Sequence, residues 1–99
     1  MSTSKLLTKA ELAKLSKTLP NWKLTKKDSV LVRTVTTEHP VPALAYCAKI
    51  IVHAEIQNHH PDIELSYGTV KLKLTTHDAN GITKKDITLA KAIDKLEVC

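Results

Sequence analysis

From Val70 to Thr75 apolar and polar residues alternate without a break, with Val70, Leu72 and Leu74 on one side and Lys71, Lys73 and Thr75 on the other. Successive side chains of a strand point to opposite faces, so this segment needs one face in a core and one in water. Parallel sheets are covered on both faces and read as unbroken apolar runs, whereas a clean alternation belongs to antiparallel sheets. The rest of the chain must therefore supply further strands for one sheet, and helices to cover its dry face.

It does so in order. Thr8-Lys9-Ala10-Glu11 has capping-box spacing, in which side chain and backbone satisfy each other's unpaired groups at a helix start. Leu12, Leu15 and Leu19 then mark one helical face, and Pro20 ends it. Trp22 to Leu24 reads as a short strand. After the turn-like Lys26-Lys27-Asp28-Ser29 comes a β-branched strand, in which Val30, Val32, Thr34 and Thr36 alternate with Leu31, Arg33, Val35 and Thr37. Either set qualifies as its buried face. His39-Pro40-Val41-Pro42 is a break, and a second helix is expected from about Pro42 to Asn58, with Leu44, Ala48, Ile51 and Glu55 near one face, flanked by Cys47 and Val52. Pro61 blocks its continuation. Strands follow over Ile63 to Tyr67 and Thr69 to Thr76, with Gly68 between them. Asn80-Gly81 marks a turn. Thr83-Lys84-Lys85-Asp86 is a second box-like cap, opening a last helix with Leu89, Ile93 and Leu96 as its stripe and Ala90 and Ala92 beside it. The order α-β-β-α-β-β-α defines a single α+β domain over residues 1–99, a four-stranded antiparallel sheet with three helices on one face.

Bulk properties bound the function. A chain of 99 residues buries only about 60–70% of its unfolded surface, so self-association would help it. It has no Phe, and its large aromatics are Trp22, Tyr46 and Tyr67. The formal net charge is +5, yet the basic residues are scattered and cluster no further than Lys26-Lys27 and Lys84-Lys85, which argues against nucleic acid as the main ligand. Cys47 and Cys99 form no disulfide framework or CxxC motif, so reduced thiols in the cytosol are expected. No stretch approaches the roughly 20 apolar residues of a membrane span, and Met1 to Leu7 lacks a signal peptide's apolar core. Two glycines leave no phosphate-cradling loop, and no Ser-His-Asp or Cys-His spacing is legible.

The chemistry concentrates in Glu55-Ile56-Gln57-Asn58-His59-His60-Pro61. Glu55 and His59 are four apart on one helical face and within mutual reach. His59 and His60 sit at a helix C-terminus, where the dipole favours imidazolium, and His77 closes a strand. Three readings stand open. The histidines cap a helix end; or they ligate zinc with a carboxylate, although there is no HExxH and the spacings match no closed ligand set; or they perform general acid–base catalysis, for which imidazole titrates in the right range. His39 reads as a solvated loop residue and His53 as a helix-surface or interface residue. Asp86 reads as a first-turn capping acid, and Trp22 as core or pocket wall.

Glu55-x-x-Asn58-His59-His60-Pro61, followed by Tyr67, Thr76-His77, Gly81-Ile82-Thr83, Asp86 and Leu89-Ala90, resembles the signature of the pterin-4a-carbinolamine dehydratases, and Trp22 falls where that family has its tryptophan. The resemblance spans about Trp22 to Leu96. It implies the same sheet-and-helix fold, dimers or tetramers, and removal of water from 4a-hydroxytetrahydropterin to give quinonoid dihydropterin, in recycling of tetrahydrobiopterin, with no metal or organic cofactor. It implies that His59 and His77 exchange the protons, that His60 and Glu55 bind and orient the pterin, that Asp86 holds or polarises His77, and that Trp22 walls the pocket. The setting implied is cytoplasmic, with a nuclear fraction open to so small a chain. The family is usually rich in Phe where this chain has Val35, Thr37, Pro40 and Leu44, so the resemblance is firmer at the site than at the oligomer contacts. It also implies an alternative from another class, a dimerisation cofactor for a transcription factor. That role would use the outer face of residues 43–57, and a continuous exposed apolar stripe there would support it.

Overall fold

The computed structural model describes residues 5–96. Its elements are α1 (Lys9–Thr18), β1 (Lys23–Thr25), β2 (Val30–Thr36), α2 (Pro40–Gln57), β3 (Asp62–Ser66), β4 (Thr69–Leu74), a single 3₁₀ turn (His77–Ala79) and α3 (Lys84–Asp94). The four strands form one antiparallel sheet in the order β1-β2-β4-β3, with the three helices on one face. Cys99 lies outside the described residues.

Both caps read from the sequence are present. The Glu11 carboxylate accepts the Thr8 N–H at 2.8 Å, and the Asp86 carboxylate accepts the Thr83 N–H at 2.9 Å. α2 begins at Pro40, two residues before the expected start, because prolines in a first turn give up no hydrogen bond the helix needs. β4 stops at Leu74, and Thr76 pairs only in an isolated bridge with Gly81. That bridge closes the loop carrying His77. Gly68 follows Tyr67, which has a φ of 55°, and a Cβ at Gly68 would lie 2.4 Å from the Thr37 carbonyl oxygen. Only glycine lets the β3–β4 turn pass that backbone.

Val70, Leu72 and Leu74 of β4 are fully buried, as the alternation requires. On β2 the choice left open resolves toward Leu31 and Val35, which are buried. Arg33 lies between them on the same face, and its guanidinium meets Asp94 of α3 at 2.6 Å. Asp94 also accepts the Trp22 indole N–H at 2.8 Å.

α2 departs most from expectation. Its buried residues are Ala43, Tyr46, Cys47, Ile50 and Ala54. Leu44, Ala48, Ile51 and Glu55, which share a face as predicted, all point outward, and Cys47 turns to the core instead of flanking them. The helix is apolar nearly all round, so periodicity alone finds two faces and cannot say which one meets the sheet.

A histidine-lined cleft as candidate active site

α2 ends at Asn58, which adopts the left-handed conformation with φ 51° and donates its N–H to helix carbonyls. Asparagine tolerates this region better than most residues. The reversal throws His59 off the helix axis and toward the start of α3. There His59 Nε2 lies 2.6 Å from Asp86 Oδ1.

Asp86 is completely buried, so its carboxylate needs partners for every exposed lone pair. It has them. Oδ2 accepts the Thr76 hydroxyl at 2.8 Å and the Thr83 N–H at 2.9 Å. Because Thr76 spends its proton on Asp86, the 2.7 Å contact between the two threonine hydroxyls runs from Thr83 to Thr76. Thr83 Oγ1 in turn accepts the Lys85 N–H at 3.2 Å. β4's end, the α3 cap and the α2 exit are thus tied to one carboxylate.

A carboxylate only accepts, so the proton in the His59–Asp86 bond belongs to Nε2. Nδ1 is left as the ring nitrogen able to take or give a proton. This is the arrangement in which a buried acid fixes the tautomer and orientation of a catalytic imidazole.

His60, past the reversal, pairs with Glu55 instead. The expected Glu55–His59 contact therefore does not form: the left-handed Asn58 breaks the helical register that would have stacked them. Both partners of the Glu55–His60 pair are more than half exposed, so it contributes little to stability. His77 sits exposed in the 3₁₀ turn, and its ring has no hydrogen-bond partner among the described residues.

Asn58, His59, His60, Thr75, Thr76, His77, Asp78 and Lys85 line an open cleft of roughly 360 Å³. The three histidines singled out from sequence are therefore brought together. Two other assignments change. Asp86 holds His59 and not His77, because the first turn of α3 abuts the end of α2. Trp22 does not line this cleft; it is buried in the core beside α3's other end, bonded to Asp94. Among the described residues no three His, Cys, Asp or Glu side chains converge as a metal-ligand set. His39 caps α2 without a side-chain bond, and His53 faces a groove beside α3.

Thr76, Thr83 and Lys85 were not singled out as site residues. Thr83 had left a signal, the capping box it forms with Asp86, whereas the bond from Thr76 to Asp86 ten residues on shows only in the fold. Lys85 left one signal: a cation in a first helical turn opposes the helix dipole.

The fold and the site together define a class, a small α+β domain with an imidazole cleft organised by a buried carboxylate. The model of the pterin 4 alpha carbinolamine dehydratase family matches residues 5–96, and the chain belongs to that family. A Chloroflexus aurantiacus protein provisionally named pterin-4-alpha-carbinolamine dehydratase is 41% identical over 90 residues, covering 91% of this chain and 95% of the relative. A similarly named Nostoc punctiforme protein is 39% identical over 94 residues, covering 95% and 99%. The crystal structure of a Brucella melitensis protein described as a transcriptional coactivator/pterin dehydratase superposes with a TM-score of 0.84 at 27% identity, covering 90% of this chain and 95% of that one.

Proposed function

We propose that this protein is a hydro-lyase that dehydrates 4a-hydroxytetrahydropterin to quinonoid dihydropterin by histidine acid–base catalysis, in the recycling of tetrahydrobiopterin. The observation that carries the reading is His59 fixed by buried Asp86 at the edge of a cleft shared with His60 and His77. The elimination breaks the bond from C4a to its hydroxyl and an N–H bond of the adjacent ring nitrogen, and forms a C4a–N double bond. One imidazolium gives its proton to the departing hydroxyl, which leaves as water. A neutral imidazole takes the proton from nitrogen. No electrons are exchanged with a second reactant. His59 and His77 hold these two roles, each worth on the order of 10²–10⁴-fold. His60, steadied by Glu55, orients the pterin, and the Glu55 carboxylate has acceptor capacity left for the pterin's amino and ring N–H groups. A cytosolic setting agrees with the free thiol of Cys47.

The test is a stopped-flow absorbance assay of carbinolamine dehydration, with the substrate generated in situ by a hydroxylase. Wild-type protein should accelerate the reaction, and His59→Ala/His77→Ala should abolish the acceleration while retaining the fold. No acceleration by folded wild type would sink the proposal.

A second reading rests on α2. Val41, Leu44, Ile51, Val52 and Ile56 are 74%, 59%, 50%, 57% and 74% exposed and run along the side opposite its buried face. This exposed apolar stripe, interrupted by Glu55 near its end, supports a protein-docking surface, serving a homodimer or homotetramer or a transcription-factor partner. The description of the Brucella melitensis protein as a coactivator agrees with this. Leu44→Glu/Val52→Glu should lower the mass measured by light scattering if copies of this chain meet there. An unchanged mass leaves the stripe to a different partner.

A further inference from the structure

His59 and His77 reach the cleft by different means. The His59 ring is oriented by its own bond to buried Asp86. The His77 ring is exposed and has no such partner among the described residues, so its place depends on the loop that carries it. We propose that Thr75 is a positioning residue for His77, anchoring that loop to the β1–β2 turn. The inference rests on the dehydratase reading of the cleft and deepens it, by naming what sets the second proton-transfer group in place.

β4 leaves the β2 ladder after the pair Leu31 and Leu74, and Thr76 turns to Gly81 instead. Where the ladder ends, the Thr75 hydroxyl donates to the Ser29 carbonyl at 2.7 Å and keeps the two segments together. The hydroxyl has one proton, so its 3.4 Å approach to the Gly81 carbonyl is secondary and no donor is left for a substrate. Ser29 is itself firmly held. Its N–H meets the Thr25 and Lys26 carbonyls at 3.0 and 3.2 Å, and its hydroxyl donates to the Lys26 carbonyl at 2.6 Å. The residues before it, Lys26, Lys27 and Asp28, have left-handed φ values of 51°, 57° and 64°. Non-glycine residues keep that conformation only where their surroundings over-determine it, and strain of this kind gathers at functional sites.

Thr76 is bonded on the other side, its hydroxyl donating to Asp86. One dipeptide is thus tied to the β1–β2 turn and to the carboxylate that orients His59, and His77 is the next residue. The far side of the loop is braced as well. Leu6 lies against Gly81, where a Cβ would come within 2.8 Å of Leu6 Cδ2, and the Leu7 N–H donates to the Ile82 carbonyl at 2.9 Å. Thr75 and Thr76 together set the separation of the two imidazoles, which must reach the hydroxyl and the ring nitrogen of one substrate. A misplacement of about 1 Å at a reacting group costs on the order of 100-fold in rate.

Thr75→Val in the full-length protein keeps the side chain's shape and removes its hydroxyl. In the carbinolamine assay kcat should fall on the order of ten- to a hundred-fold, with KM within a few-fold of wild type. Thr75→Ser, which restores the hydroxyl, should restore kcat. Thr25→Val removes a hydroxyl from the same hairpin but outside the cleft, and should leave kcat within a few-fold. The placement is read separately by NMR hydrogen exchange. In Thr75→Val the Ala79 and Asn80 amides, bonded to the Thr76 and His77 carbonyls, should exchange faster, while the Thr83 amide on Asp86 keeps its protection. An unchanged kcat overturns the inference, and so does a rise in KM alone, which assigns Thr75 to substrate contact. A fall in kcat that serine does not rescue, or that leaves Ala79 and Asn80 exchange unchanged, overturns it too. Each of these results is read against a wild type that turns over, so the dehydratase reading survives them. No turnover by folded wild type sinks that reading, and the positioning role falls with it.

Discussion

α3 carries a hydrogen-bonded acid at each end, one buried and one partly exposed, and the two have different partners. Asp86 at its start is fully buried and faces a titratable partner, His59, with its other oxygen saturated by Thr76 and Thr83. Asp94 at its end is about a quarter exposed and faces a permanent cation, Arg33, and the Trp22 indole. Guanidinium cannot release its proton in a protein, so the second cluster is an anchor that ties β2 and the segment before β1 to α3. Imidazole can, so the first is the cluster suited to the acid–base role proposed for His59. Both are charge-assisted networks, and the chemistry of the cation separates an anchor from a site.

The contrast breaks most sharply at Asp86→Asn. The amide can present either donor or acceptor to His59, so the tautomer is no longer fixed, and kcat should fall on the order of 10²–10⁴-fold with secondary structure intact by circular dichroism. An activity within a few-fold of wild type would mean that Asp86 is only a cap. Asp94→Asn should do the reverse. It should leave kcat/KM within a few-fold and lower stability to urea by about 1–3 kcal/mol, since it weakens two charge-assisted bonds at a partly exposed site. Thr76→Val sharpens the comparison. It removes one donor from buried Asp86 and strands the Thr83 hydroxyl, for a loss of about 1–3 kcal/mol and a smaller fall in kcat than Asp86→Asn.

The smallest effect is expected at Tyr46. Its hydroxyl is buried near the Asp94 cluster without a hydrogen-bond partner among the described residues. Tyr46→Phe removes only an unsatisfied group, so stability at neutral pH should stay level or rise by up to about 1 kcal/mol. Burial raises the tyrosine's pKa above 10.0, the nearby Arg33 opposing this only in part. Its raised folded value means that the neutral phenol carries no pH-dependent cost below 10.0, and that stability falls as pH rises through the folded value, because the unfolded chain gives up the proton first. Burial raises the Cys47 thiol above 9.0 in the same sense. Alkaline unfolding should therefore shift to higher pH in Tyr46→Phe, as followed by the fluorescence of Trp22. An unchanged midpoint would assign the alkaline transition to other groups.

Much of this was legible in the residues. The alternation of β4, the two capping boxes and the prolines bounding α2 act over a few neighbours, and local chemistry decides them. The cluster Glu55 to Pro61 announced itself by composition, and its match to a family signature brought in His77 and Asp86. Which residues touch was another matter. Glu55 was expected on His59 and Asp86 on His77. One left-handed residue, Asn58, exchanges the first pairing, and the packing of α3 against the end of α2 exchanges the second. Trp22 was as good a pocket wall as a core residue until Asp94 claimed its indole.

The sequence by itself determined the element order, the antiparallel class of the sheet and the three histidines, because each depends on periodicity, caps or residue type within a short window. Only the tertiary structure decided which apolar face of α2 is buried and which carboxylate holds which imidazole. Those are contacts between residues far apart in the chain. Their partners are chosen by the free energy of burying a whole surface, a quantity to which every element contributes and that no short stretch of residues contains.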